Sequence, residues 1–261
     1  MRMRAKQARR WAAGAALACG GGAAMLAYPG CLGGASHQAV STDALTPADP
    51  DAESFEGSGL RAASGPASTV AGDPEAAARF AELRALHLRA VAGDDPAYEA
   101  SRDGFEALRA DHPADARLAA WMGSSLLLGA REALLPTTKL ALASQGVPLL
   151  NAAARAAPSD PVVRWLRGVS TVNLPRIGAG AEAAARGEAD LAWVYERIEP
   201  ALAAGLLTPQ QAASTAYNHG RMLERVGDED AARGAYERAV ELAPSSRSAG
   251  LAREAMAGDA G

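Results

Sequence analysis

The sequence predicts an all-α protein, an α-solenoid of stacked helix-turn-helix units, and three observations predict it. Hydrophobic residues make up 49% of the 261 residues, and much of that fraction is alanine, the best helix former. Aromatic residues are only 5% and β-branched residues are sparse, so a large sandwich or barrel lacks its usual material. Beyond Asp73 the chain repeats one grammar: an Asp or Pro start signal, an apolar face at helical spacing, a turn, a second helix. Helix pairs that recur in this way bury their faces by stacking on their neighbours.

The chain opens with a basic head, Arg2, Arg4, Lys6, Arg9 and Arg10, with no acidic residue before Asp43. An apolar, glycine-containing run follows from Trp11 to Leu32. A positive head before a short apolar stretch is the layout of an export signal. At about 20 residues the run is also long enough to span a bilayer as an uncleaved helix. Arginines on the head keep that end in the cytoplasm, so the remainder faces outward. Arg9-Arg10 invites a twin-arginine reading, but the preceding Ser/Thr and the usual following residues are missing.

Both cysteines, Cys19 and Cys31, fall in this stretch. Tyr28-Pro29-Gly30-Cys31 resembles a bacterial lipobox, with Tyr28 where that motif usually has leucine. Ala16-Leu17-Ala18-Cys19 has fitting small residues behind too short an apolar run. Three alternatives stand: a lipoprotein attached through Cys31, an uncleaved anchor, or a secreted chain. Residues 1–32 are thus a signal peptide or membrane anchor, and the remainder has no cysteine for a disulfide or a thiol nucleophile.

The whole chain carries 26 basic and 30 acidic groups; less the five basic head residues, 21 against 30 leave a net charge of −9. Phosphate backbones are bound by Lys and Arg, so nucleic acid is excluded as the expected partner. Residues 33–73 are Gly, Ala, Ser, Thr, Pro and acidic residues with Phe55 as the lone aromatic, the composition of a disordered linker. A flexible tether of about 40 residues reaches roughly 35 Å.

The repeat domain, 74–258, begins at Asp73-Pro74, an N-cap followed by proline at the first helical position. Phe80, Leu83, Leu86 and Ala90 give the first helix one apolar side. Gly93-Asp94-Asp95-Pro96 breaks it and starts a second helix bearing Tyr98, Phe105 and Leu108, which runs to Asp111-His112-Pro113. Asp115 precedes a helix carrying Trp121, and Asp160-Pro161 precedes one carrying Trp165. Leu149 to Pro158 has the pattern of a repeat's end. Leu135–Gly146 and Leu174–Gly187, opened by Pro136 and Pro175, are too long for ordinary turns and are expected to be insertions.

The last pair is the sharpest. Ala216-Tyr217-Asn218-His219-Gly220 runs through Gly227-Asp228 to Ala231-Ala232, Tyr236, Ala239 and Pro244, followed by a short helix to about Met256. Gly220, Ala232 and Ala239 are small where paired helices must approach closely, Tyr236 fills space between neighbours, and Pro244 stops the second helix. This unit resembles a tetratricopeptide repeat, specifically over about 213–245 and in outline over 75–256. The resemblance implies a groove that holds an extended peptide or a helix. It also implies a non-catalytic, scaffold-like role, as in exported bacterial lipoproteins with such repeats.

In that reading Tyr217, Asn218, Arg221 and Arg225 bind the partner, another envelope protein or peptide, and include residues one turn apart on a shared face. A second candidate is an anion or small-ligand site, or an enzyme pocket, built on the insertions from Arg131, Thr137, Thr138, Lys139, Arg167, Asn173 and Arg176. Trp121, Trp165 and Trp193 fit core positions or a ligand groove, with Trp193 and Trp165 favoured as core.

Chemistry has little material. His37, His87, His112 and His219 form no metal-ligand spacing and there is no HExxH. Ser124, Ser125 and Ser144 lack the strand that a nucleophile elbow needs. Gly178 to Ala183 matches a GxGxxA loop in letters only, without the flanking strands, and is expected to be a flexible connector. No cofactor, metal or catalytic residue is expected.

Overall fold

A computed structural model describes residues 69–174 and 179–258 of the chain. The expected leader at 1–32 with Cys31, the linker as far as residue 68, and Pro175, Arg176 and Gly178 lie outside the described residues. The described chain is all-helical, with no strand among those residues. Its α-helices are α1 (Pro74–Val91), α2 (Asp95–Asp111), α3 (Ala116–Glu132), α4 (Pro136–Ala156), α5 (Pro161–Thr171), α6 (Ala179–Tyr195), α7 (Ile198–Ala203), α8 (Pro209–Val226), α9 (Glu229–Leu242) and α10 (Arg247–Gly258).

Side-chain caps fix where these helices begin. Asp73 accepts from the backbone N–H groups of Glu75 and Ala76 at 3.0 and 3.2 Å, and Asp94, Asp115, Asp160 and Asp228 open α2, α3, α5 and α9 in the same manner. Thr208 and Gln211 form a reciprocal capping box at α8. Each such cap is worth about 1 kcal/mol. The ordered fold starts earlier than the expected boundary at Asp73. Thr69–Gly72 makes a 3-10 turn, with Val70 buried and its N–H donating to the buried Asp115 carboxylate at 3.3 Å. Val70 has an apolar core to enter, and that anchors the end of a segment whose composition is otherwise that of a linker.

The helices pair as hairpins: α1 with α2, α3 with α4, α5 with α6, and α8 with α9, on which α10 closes. The first members α1, α3, α5 and α8 touch in succession, and each second member meets the next first helix. Two main apolar clusters result, with a small third one of Ala90, Ala97 and Leu128. The larger contains Leu83, Phe105, Trp121, Leu150, Val163, Trp165 and Val194. The smaller is mostly alanine, with Ala212, Ala216, Ala232, Ala239 and Ala252 around Tyr236 and Ile198.

Neither expected insertion is a loop where it is described. Residues 136–156 form one continuous helix that runs through Gly146 and Pro148. Gly146 is demanded by closeness, since a Cβ built there would lie 2.9 Å from the backbone oxygen of Gly123 on α3. Pro148 is tolerated because it and Ser144, whose carbonyl loses its helical partner, both lie on the exposed side. Likewise Ala179 to Ala183, expected in a flexible connector, forms the first turns of α6.

Candidate functional site

Helix α8 carries all four predicted partner-binding residues, and the structure distributes them over two sides. Thr208 fixes the start of α8, and Gly227, in the left-handed region at φ 82°, ends it and turns the chain into α9. On the side toward α9, the Arg221 guanidinium donates to the Tyr217 hydroxyl at 3.2 Å and pairs with Glu224 at 3.0 Å. Glu224 also accepts from the Tyr236 hydroxyl at 2.9 Å. Burial and this carboxylate hold the Tyr236 phenol protonated well above its usual range. The rings of Tyr217 and Tyr236 are 5.9 Å apart.

On the other side, Arg225 pairs with Glu188 of α6. Asn218 lies half-buried, its amide N–H donating to the Ser214 carbonyl at 2.8 Å. Between α6 and the end of α8 an open cleft of about 300 Å³ is lined by Glu188, His219, Met222, Leu223, Arg225 and Val226. Its lining combines three apolar side chains with one acid, one base and an imidazole. His219 stacks on Tyr195 with ring centroids 4.2 Å apart, and burial lowers its pKa below the usual histidine range, which favours a neutral ring at pH 7. Of the four predicted residues, Arg225 lines this cleft.

The second predicted site does not assemble. Arg167 is buried and donates to Asp190 of α6 at 2.5 and 3.0 Å, so its charge is already matched. Arg131, at the exposed end of α3, pairs with its neighbour Glu132. Thr137, Thr138 and Lys139 are exposed on the first turn of α4, Asn173 is exposed after α5, and Arg176 is outside the described residues. A helix stands where a loop was expected, so these donors are not gathered around a common cavity.

Two buried polar systems escaped the sequence reading. Asp190 is fully buried between Arg164, at 3.0 Å, and Arg167, while Asn151 of α4 accepts from Arg167 at 3.4 Å. Burial pushes the Asp190 carboxyl upward, against the pull of Arg167 and Arg164. Arg164 also covers one side of Trp193, with Arg197 close by on the same ring. Trp193, favoured as core, packs partly buried against the larger apolar cluster, with its ring also under two guanidinium groups. Trp121 and Trp165 are both buried, 6.1 Å apart.

The second system centres on His87. Its Nδ1 is 2.9 Å from the Ser125 hydroxyl, its Nε2 is 3.3 Å from Ser124, and Ser170 of α5 donates to Ser124 at 3.0 Å. Phe105 and Trp121 meet the imidazole edge-to-face. Burial, with a smaller push from Arg131, lowers the His87 pKa from 6.5 to about 4. The ring is neutral at pH 7 and is a structural link between α1, α3 and α5. A His aligned with two Ser that are adjacent in sequence but more than thirty positions away leaves no local motif to find.

Among the described residues there is no group of three or more His, Cys, Asp or Glu able to hold a metal ion. Among them, too, no helix is long and apolar enough to cross a membrane. With fold and site described, the class the chain falls in is an all-α protein of packed helical hairpins. No protein-family model, curated protein or solved structure matches this chain.

Proposed function

We propose that the protein is an exported, membrane-tethered α-solenoid of tetratricopeptide-like repeats. Its role would be that of a non-catalytic scaffold in the bacterial envelope that binds a partner peptide or helix along α8. The observation that carries the reading is the open cleft beside α8, lined by the half-buried Met222 and Leu223 and the exposed Val226 together with Arg225 and Glu188. Open apolar clefts with a few convergent polar groups are ordinary binding sites. The order in which hairpins touch, first helix on first helix, supports the stacked-repeat reading. So does Gly220, where a Cβ would lie 2.6 Å from the Tyr236 ring. The tether rests on the basic head and apolar run alone.

Binding depends on Arg221 and Arg225 as charge-assisted donors and on Asn218 as a neutral one. Arg221 uses two of its three donor nitrogens within the fold, Nη1 and Nε, and retains Nη2 for a partner carboxylate. Photo-crosslinking from position 218 in intact envelopes captures the partner, whose affinity is then measured for variants. Losing a neutral hydrogen bond costs about 0.5–1.5 kcal/mol and one to a charged group about 1.5–3. Arg221→Ala is therefore expected to weaken the complex more than Asn218→Ala, without unfolding the domain. Unchanged affinity in the double variant and in Arg225→Ala would remove α8 as the binding element.

A further inference from the structure

The connection between α3 and α4 presents a group of side chains that the fold does not use. Leu134 is 94% exposed, Leu135 63% and Leu140 72%, the most exposed cluster of large apolar residues in the described chain. All three lie within one turn on either side of Pro136, at the outer end of the α3–α4 hairpin. Scattered exposed leucines are ordinary, but three together at a hairpin tip are not.

The charge around them differs from the rest of the molecule. Lys139, exposed on the first turn of α4, is the only lysine after Lys6. At the tip Arg131 and Lys139 are basic and Glu132, paired with Arg131, is the one acidic residue, which leaves the tip positive in a protein whose overall charge is negative. Thr137 and Thr138 add exposed hydroxyls. The N-cap of α4 is also unlike those of its neighbours. Position 135 is a leucine with no side-chain cap, as Arg197 is at the short α7, where α1, α2, α3, α5, α8 and α9 open with Asp or Thr.

We propose that this tip docks on a bilayer surface containing anionic phospholipid. Leu134, Leu135 and Leu140 enter the interfacial region, and Lys139 meets the phosphates. Leucine and lysine side by side suit that boundary, since apolar side chains leave water while the ammonium stays at headgroup level. Anionic lipid attracts each basic residue near its surface. The inference rests on the membrane-tethered reading, which keeps the domain within reach of a bilayer. It adds a second contact that orients the domain, with α3 and α4 directed at the membrane.

The test uses the full chain with Cys19→Ser and Cys31→Ser, labelled with an environment-sensitive fluorophore at Leu135→Cys or, as a control, at exposed Glu237→Cys. Each is mixed with phosphatidylcholine vesicles, with or without phosphatidylglycerol, and binding is read independently by flotation. The expected result is a blue shift and a rise in intensity at position 135 with phosphatidylglycerol. The same label is expected to respond weakly with phosphatidylcholine alone, and position 237 not to respond. Lys139→Glu is expected to bring the response at 135 down to the phosphatidylcholine level. A chain that floats with vesicles while the label at 135 stays in water overturns the docking tip and leaves the tether standing. A chain that does not float overturns the tip; the tether is read separately, by fractionating envelopes that hold the unsubstituted chain, because Cys31→Ser removes the lipid attachment. A response at 135 that grows with protein concentration in the absence of vesicles assigns the patch to a second copy of the chain instead.

Discussion

The two ends of the helical array are held together by different chemistry. From α1 to α6 the interior is threaded with polar groups: Asp115 holding the Val70 N–H, His87 between two serines, Arg117 on Asp160 at 2.6 Å, and Asp190 between two arginines. From α8 to α10 the core is small, alanines packed about Tyr236, and its buried polar side chains, Gln211 and Thr215, find their partners within α8 and its cap. The first region gains specificity from groups that must be matched. The second gains closeness from residues with little to match. The difference predicts unequal responses to single substitutions.

The largest effect is expected at Asp190. Asp190→Ala leaves Arg164 and Arg167 without their buried carboxylate, and breaking one member of such a cluster costs about 3–5 kcal/mol. Urea unfolding of the purified domain measures it. A loss under 1 kcal/mol would mean that the cluster is solvated and that the contrast between the two regions is false.

Next in size is a pH effect confined to the first region. His87 binds its proton with a pKa of about 4 when folded and 6.5 when unfolded, so between those values the unfolded chain takes up more protons. Stability is therefore complete above pH 6.5 and is lost as the pH falls toward 4, by about 3 kcal/mol. His87→Gln, which keeps hydrogen-bonding capacity but does not titrate, is expected to flatten that part of the stability–pH curve. An identical slope in the variant would place the titrating group elsewhere.

Overpacking tests the two regions side by side. A Cβ at Gly123 would meet the Gly146 backbone oxygen and the Leu150 side chain, both at 2.9 Å, whereas one at Gly220 would meet the Tyr236 ring at 2.6 Å. Both alanine variants are expected to lose about 1–3 kcal/mol. Gly123→Ala should lie at the upper end because a helix backbone cannot rotate aside. Thermal melting of the two variants checks the order.

The smallest effect is expected at the surface. Arg225 and Glu188 are both partly solvated, and exposed ion pairs contribute about 0–1 kcal/mol. A double-mutant cycle should find little coupling between them, even if Arg225→Ala reduces partner affinity.

The same contrast explains what was legible in the sequence. Helix starts were legible because Asp-Pro and Asp caps act within four residues of themselves, as at Asp73, Asp94 and Asp160. The close contacts of α8 and α9 were legible because Gly220, Ala232, Tyr236 and Ala239 fall within one hairpin. The polar interior was not. Asp190 meets Arg164 and Arg167 from a neighbouring helix, and His87 on α1 meets Ser124 and Ser125 on α3, more than thirty positions on. Gly146 and Pro148 were misleading for a related reason: both are breakers in local grammar, yet one is required by a neighbouring helix and the other faces water. At the candidate site, sequence spacing placed Tyr217, Asn218, Arg221 and Arg225 on one helix. It did not show that Arg221 turns to Glu224 and Arg225 to Glu188, because Glu188 belongs to another hairpin.

The most direct test of the binding role is an exchange footprint. Backbone amide exchange is followed along the whole domain with and without the partner captured from envelopes. Slowed exchange over residues 214–226 of α8, with Glu188 and its neighbours on α6 also affected and α1 to α3 unchanged, is the predicted result. Protection confined to α1–α4, with α8 exchanging as in the free protein, would contradict it.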